Sequence, residues 1–182
     1  MPKLEDYQLR LMSESDLEMV LDWRNSDRVR ENMYTDYLIT LNQHLEWFEN
    51  IKNDQSCIYL VCEFKSNPIG VVGFTQIDLV NQKCHWAFYL GNINAPKGSG
   101  AIMEFLALEY AFEQIKIRKL CCEIFVFNNS VIKLHKKFGF EQESCFKEHI
   151  LKNNNYEDVI SMAMFKSGWE LKKLEVLKII AR

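Results

Sequence analysis

One stretch, from Cys84 to Phe127, leaves this chain few folds to choose from. "CHWAFYL" (84–90) reads as a strand, and residues 98–117, "GSGAIMEFLALEYAFEQIKI", read as a helix that is apolar nearly all round. "KLCCEIFVF" (119–127) reads as a second strand, of the type buried on both faces. A tight hairpin joins antiparallel strands, whereas two strands linked only through a helix pair in parallel when they are neighbours. A helix with no polar face has to be covered, so this one lies against the sheet.

The remaining elements are shorter and antiparallel by their connections. "YQLRLM" (7–12) is a first strand, and Ser13 with Asp16 makes a capping box for a helix carrying Leu17, Val20, Leu21 and Trp23. Thr40 and Gln43 make a second box, for a helix over 40–52 that spaces Leu41, Leu45 and Phe48 helically. Strands over 57–64, 69–80 and 84–90, separated by "KSNP" and "NQ", form a meander. "NSVIKLHKKFGF" is a helix capped by Asn129 or Ser130 and ended by Gly139. A final hairpin turns around Asn153–Asn155. A terminal helix from Ser167 onward places Trp169, Leu174, Leu177 and Ile180 for packing on its own domain or on a second copy, as in a homodimer. The order is β-α-α-β-β-β-α-β-α-β-β, an α+β fold. Its 182 residues suit one domain spanning 1–182.

Charge and cysteine usage narrow the class. The net charge is −3 with acids and bases interspersed, so no basic stripe points to nucleic acid. No stretch approaches the ~18 apolar residues of a membrane span, and "MPKLEDYQLR" lacks the apolar region of a signal peptide. Six cysteines without a C-x-x-C pair and four scattered histidines fit reduced thiols in the cytoplasm and no metal site.

The turn "NAPKGSGA" is where a ligand is expected. A Walker loop needs its lysine after the last glycine, but Lys97 precedes Gly98; a dinucleotide fingerprint needs a third glycine where Met103 stands. What remains is a short turn whose successive amides, at the start of a helix, suit a pyrophosphate. Two glycines by themselves are better explained by an eased helix start. Their neighbours decide. Strand, K-G-S-G-A, long helix, buried strand and "FNNSVIKLHKKFGFEQES" together resemble the GNAT superfamily of N-acetyltransferases. That family's loop runs Gln/Arg-x-x-Gly-x-Gly/Ala; Gly98 and Gly100 match and Ala95 departs at the first position. Its later signature is an Asn, a Tyr seven residues on, and a closing "EKxGF". Asn128 and "KKFGF" match, while His135 replaces the Tyr. Nearer the amino end, "DWRNSDRVRENMYTDYLIT" and "HLEWF" resemble the PseH-type branch, which acetylates a UDP-linked 4-amino-4,6-dideoxy sugar in pseudaminic acid biosynthesis.

The resemblance implies a mixed central sheet with a splay between two parallel strands, and acetyl-CoA as co-substrate. Phe88, Tyr89 and Leu90 would line the pantetheine arm. Amides of Lys97, Gly98, Ser99, Gly100 and Ala101 would hold the pyrophosphate, with Asn128 beside the cofactor. His135 would protonate the departing thiolate, and His85 would accept the ammonium proton through water. The plainer alternatives are a solvated helix histidine and an ordinary sheet histidine. Trp23, Arg24, Asn25 and Arg30 would take the diphosphate and uracil of a nucleotide sugar, Arg forks and aromatic faces suiting both. His44 and Trp47 would wall the sugar, or simply pack their helix. Attack is expected to be direct, in a ternary complex. A protein N-terminus or a polyamine is the rival acceptor, and a non-catalytic acyl-CoA sensor the rival of another class.

Overall fold

Seven strands build one mixed sheet in the order β1-β2-β3-β4-β5-β7-β6, in a computed structural model that describes residues 3–180. The strands are β1 (Tyr7–Leu11), β2 (Ile58–Phe64), β3 (Asn67–Asp78), β4 (Lys83–Leu90), β5 (Lys119–Phe125), β6 (Glu141–Lys152) and β7 (Asn155–Phe165). The helices are α1 (Leu17–Asn25), α2 (Asp27–Arg30), α3 (Leu41–Lys52), α4 (Ser99–Glu109), α5 (Asn129–Phe138) and α6 (Lys166–Ile180). At its end α4 widens into a π-helical stretch, Tyr110–Ile115. Two-residue turns at Lys65–Ser66 and Asn153–Asn154, all four residues at positive φ, close the β2–β3 and β6–β7 hairpins.

The crossover expected from the sequence is present. β4 and β5 are the parallel pair, in register at Lys83↔Lys119, Cys84↔Leu120 and His85↔Cys121, while every other strand pairing is antiparallel. Pairing stops there. β4 runs on to Leu90 beside β3, and β5 runs on to Phe125 beside β7, so the sheet opens in a fork between them. α4 lies against the sheet as its all-round apolarity requires: Ile102, Met103, Phe105, Ala107 and Leu108 are buried with Leu60, Val72, Phe74, Leu120 and Met162. At roughly 25 cal/mol per Å2 of apolar surface removed from water, this packing is what fixes α4 on the sheet.

At the amino end Arg10 ties three segments together. Its guanidinium spans the Asp16 carboxylate with two bonds of 2.7 Å and donates from Nε to Glu63 at 2.6 Å. Arg10 thereby holds both carboxyls below their ordinary range.

Several boundaries and faces differ from the sequence expectation. α3 buries His44 and Phe48, and Leu41 and Leu45 stay exposed, because the face turned to α1 is rotated from the leucine spacing. On α6, Trp169 and Val176 are buried, Leu177 and Ile180 pack at the core margin, and Leu174 is exposed. Trp169 wedges between Phe105 of α4 and Phe138 of α5, so the terminal helix packs on its own chain. The last two residues of the expected helix, 181–182, lie outside the described residues. The cap of α5 is Asn128, not Asn129 or Ser130: its side chain accepts from the Val131 N–H at 3.4 Å. Among the described residues no helix is long and apolar enough to cross a membrane, and all six cysteines are free thiols.

Candidate active site

The fork and the glycine turn stand side by side. Beyond His85, the edge of β4 that faces β5 has no strand partner, leaving its backbone groups open toward the fork. Arg28 occupies the far end, donating to the Leu90 and Gly91 carbonyls at 2.7 and 2.6 Å. The turn that follows is pinned from within. Ser99 is fully buried, with its N–H and hydroxyl both donating to the Pro96 carbonyl and its Oγ 2.9 Å from the Tyr7 hydroxyl. The Ala101 N–H bonds the Gly98 carbonyl. Among the described residues this leaves the N–H groups of Lys97, Gly98 and Gly100 without partners at the start of α4. Gly98 sits at φ +94, where an L side chain is strained, and a Cβ there meets nothing within 4 Å. An open, rigid turn presenting free amides at a helix N-terminus fits a pyrophosphate, and the unpaired β4 edge fits an extended arm leading from it. Ser99 therefore serves as the anchor of the turn, and Ala95, where the family carries Gln or Arg, packs its methyl at the core margin.

On the other face of the sheet lies a cavity of about 790 Å3. His85, Ala87 and Tyr89 of β4 project into it, as strand alternation requires, while Trp86 and Phe88 stack on each other on the opposite face. α1 contributes Arg24, α3 contributes His44, Glu46 and Trp47, and β5 contributes Glu123 and Phe125. The wall is aromatic. Trp47 stacks on His44 at 5.0 Å and meets Tyr59 edge-on at 4.9 Å; Tyr34 meets Phe125 edge-on. Gly73 allows Tyr59 to lie this low, since a Cβ would come within 2.7 Å of the ring. Burial lowers the His44 pKa and raises those of Tyr59 and Tyr89, so these groups are neutral near pH 7. Tyr34 donates to Glu123 at 2.6 Å.

Arg24 is the exception in this wall. One nitrogen, Nη2, donates to the Thr35 carbonyl and hydroxyl, and Nη1 is buried without any partner. No carboxylate pairs with it among the described residues. Burial works against its charge, and Arg30 nearby adds repulsion.

Not every residue expected at the acceptor site reaches the cavity. Arg24, His44, Trp47 and His85 do. Asn25 instead pins the 30s loop, its amide exchanging two 2.8 Å bonds with the backbone of Ile39. Arg30 binds Asp27 and the Asp36 carbonyl of the same loop, and buried Lys152 at the β6–β7 tip donates to the Met33 and Arg30 carbonyls. Trp23 packs on Gly91 in a separate hollow with Arg28. Asn128 is engaged as the α5 cap. Tyr34, Tyr37, Tyr59, Glu46, Glu123 and Phe125 were not read from the sequence. Signals exist for three of them: Tyr34 and Tyr37 crowd one loop, and Glu123 is the one acid in the strand "KLCCEIF".

His135 lies across the sheet from the cavity and is buried, not solvated. Its Nδ1 is 2.7 Å from Oε1 of Glu104, a wholly buried carboxyl of α4. Its ring is boxed by Trp86 at 5.3 Å, Phe88 at 5.9 Å and Phe140 at 4.8 Å. Burial pushes the Glu104 carboxyl up, with His135 opposing, and Oε2 has no partner.

The chain is similar in sequence and fold to known acetyltransferases. The chain is 27% identical over 130 residues to acetyltransferase PseH of Campylobacter jejuni, covering 71% of this chain and 79% of that one. It is 21% identical over 162 residues to spermidine N(1)-acetyltransferase of Vibrio cholerae, covering 88% and 94%. The crystal structure of the V. cholerae spermidine N-acetyltransferase in complex with CoA and spermine superposes with a TM-score of 0.86 at 21% identity, covering 91% of this chain and 99% of that one. Residues 9–161 match the acetyltransferase (GNAT) domain model, and the chain belongs to the GNAT family of acetyl-CoA-dependent N-acetyltransferases.

Proposed function

We propose that the acceptor is the 4-amino group of a UDP-linked amino-dideoxy sugar, acetylated by direct attack in a ternary complex on one domain in the cytoplasm. The carrying observation is Arg24, a half-buried guanidinium facing an aromatic cavity with no carboxylate of its own. An unpaired cation removed from water is costly, and a diphosphate recovers that cost through charge-assisted bonds. Tyr34, Tyr37 and Trp47 supply apolar faces for a uracil or a deoxy sugar. Similarity to PseH of C. jejuni supports the same acceptor.

In this reading acetyl-CoA lies in the fork. Phe88–Leu90 line its arm, and the N–H groups of Lys97, Gly98 and Gly100 hold the pyrophosphate. His85, on the cavity side, takes the ammonium proton through water, because only the neutral amine attacks the thioester carbonyl. His135, on the far side, protonates the leaving thiolate. A covalent acetyl-cysteine is not needed, since none of the six cysteines lines the cavity. Glu46 and Glu123 on the same wall favour a second reading, a polyamine acceptor, as in the spermidine acetyltransferase of V. cholerae.

Free-thiol release from acetyl-CoA over a panel of amines tests the choice. The UDP-4-amino sugar is expected to give the highest kcat/KM. Turnover of spermidine with silence on the sugar overturns the proposal in favour of the second reading.

A further inference from the structure

We propose that Glu104 is a positioning residue that supplies, through the imidazole of His135, the proton taken up by the departing thiolate. The inference deepens the role given to His135 above and rests on it. Trp86 and Phe88, which flank the imidazole, are the β4 residues just past the last parallel pair, so the ring sits at the mouth of the fork. Its Nδ1 is committed to Glu104, leaving Nε2 as the nitrogen able to meet sulfur. Among the described residues Glu104 has no other partner, and its Oε2 is buried and orphaned. Among the described residues the other titratable group facing the pair is Cys122 of β5, whose thiol burial keeps neutral. Rings of Trp86, Phe88 and Phe140 pack against the imidazole.

A carboxyl and an imidazole in such a casing share one exchangeable proton between Oε1 and Nδ1. With a second proton on Nε2 the pair has zero net charge, whether written as acid and imidazole or as carboxylate and imidazolium. In the transfer the Nε2–H bond breaks and the S–H bond forms, while the shared proton comes to rest on Nδ1. The pair goes from zero to −1 as the thiolate goes from −1 to zero, and solvent returns the proton afterwards. Without Glu104 the boxed imidazole lacks this second proton and a fixed tautomer.

Glu104→Gln keeps the shape and one hydrogen bond but has no acidic proton. With the fastest amine of the panel, kcat is expected to fall about ten- to a hundredfold. The Kd for acetyl-CoA, read by calorimetry, is expected to stay within about twofold, with Glu104→Asp restoring part of kcat. Adding Glu104→Gln to His135→Phe is expected to cost nothing further, since both remove one pathway. Unchanged kcat in Glu104→Gln, or losses that add in the double variant, overturn the role of Glu104. If His135→Phe alone keeps full kcat, it is the proton-donor role of His135 that fails. Should Glu104→Gln not fold, 15N spectra of the wild-type imidazole decide. A hydrogen-bonded Nδ1 together with a protonated Nε2 supports the pair, and an Nε2 without a proton overturns it.

Discussion

Arg10 and Arg24 stand at the two ends of the segment from β1 to α1, and the fold uses them in opposite ways. Arg10 is saturated: two bonds to Asp16 and one to Glu63 lock β1, β2 and the turn into α1. Among the described residues Arg24 has only Thr35 and keeps one nitrogen buried and orphaned against the cavity. A charge that the fold satisfies serves stability. One that the fold leaves unsatisfied is free to serve a ligand, and that contrast separates scaffold from site within one short stretch of chain.

The largest effect expected from breaking the contrast is at Arg10. Arg10→Met leaves two nearly buried carboxylates unpaired and is expected to cost about 2–3 kcal/mol in urea denaturation, less than for a fully buried pair because Arg10 is about a third exposed. Turnover of the folded fraction is expected to be unchanged, and a loss of kcat greater than the loss of folded protein contradicts the assignment of Arg10 to scaffold. Arg24→Met is the mirror image. Stability is expected to hold or rise, while kcat/KM for the nucleotide sugar falls about a hundredfold. Acetyl-CoA affinity is expected to be unaffected, and an unchanged kcat/KM removes the anion-binding role.

A smaller effect is expected at Gly98. Gly98→Ala places a Cβ at φ +94, costing about 1 kcal/mol in thermal unfolding and weakening acetyl-CoA binding several-fold by calorimetry. Gly100→Ala, whose Cβ meets only Leu90 at 3.8 Å, is the control expected to cost less in stability. The gentlest test is pH. Arg10 lowers the folded pKa values of Asp16 and Glu63, so their contribution is complete above the ordinary values of 3.8 and 4.5. It is lost as pH falls through the lowered folded values. The stability gap between wild type and Arg10→Met is therefore expected to shrink below about pH 4.5; a gap that stays constant into acid shows that packing, not charge, carries it.

Much of the fold was legible because its signals are local. The Thr40–Gln43 box caps its helix as spaced, the Ser13–Asp16 box closes a short 3-10 turn leading into α1, and the two-residue turns close the hairpins. The glycine turn was legible too, although Ser99 and Ala101 spend their amides inside it. The acceptor wall was less so. Leucine spacing on α3 pointed to one face and packing chose the face of His44, because α1 and β2 approach from a direction that periodicity does not encode. Asn25 and Arg30 have the chemistry of ligand contacts, yet carbonyls of the adjoining loop and the Asp27 carboxylate reach them first.

The sequence by itself determined the parallel crossover, the family and the glycine turn, since these rest on residues adjacent in the chain. Tertiary structure alone decided which cation stays unpaired in the cavity and that Glu104 and His135 meet. A lone acid in the middle of an apolar helix demands a partner. Only the packing of α5 across α4 brings one within 2.7 Å, from a segment that sequence spacing leaves unrelated.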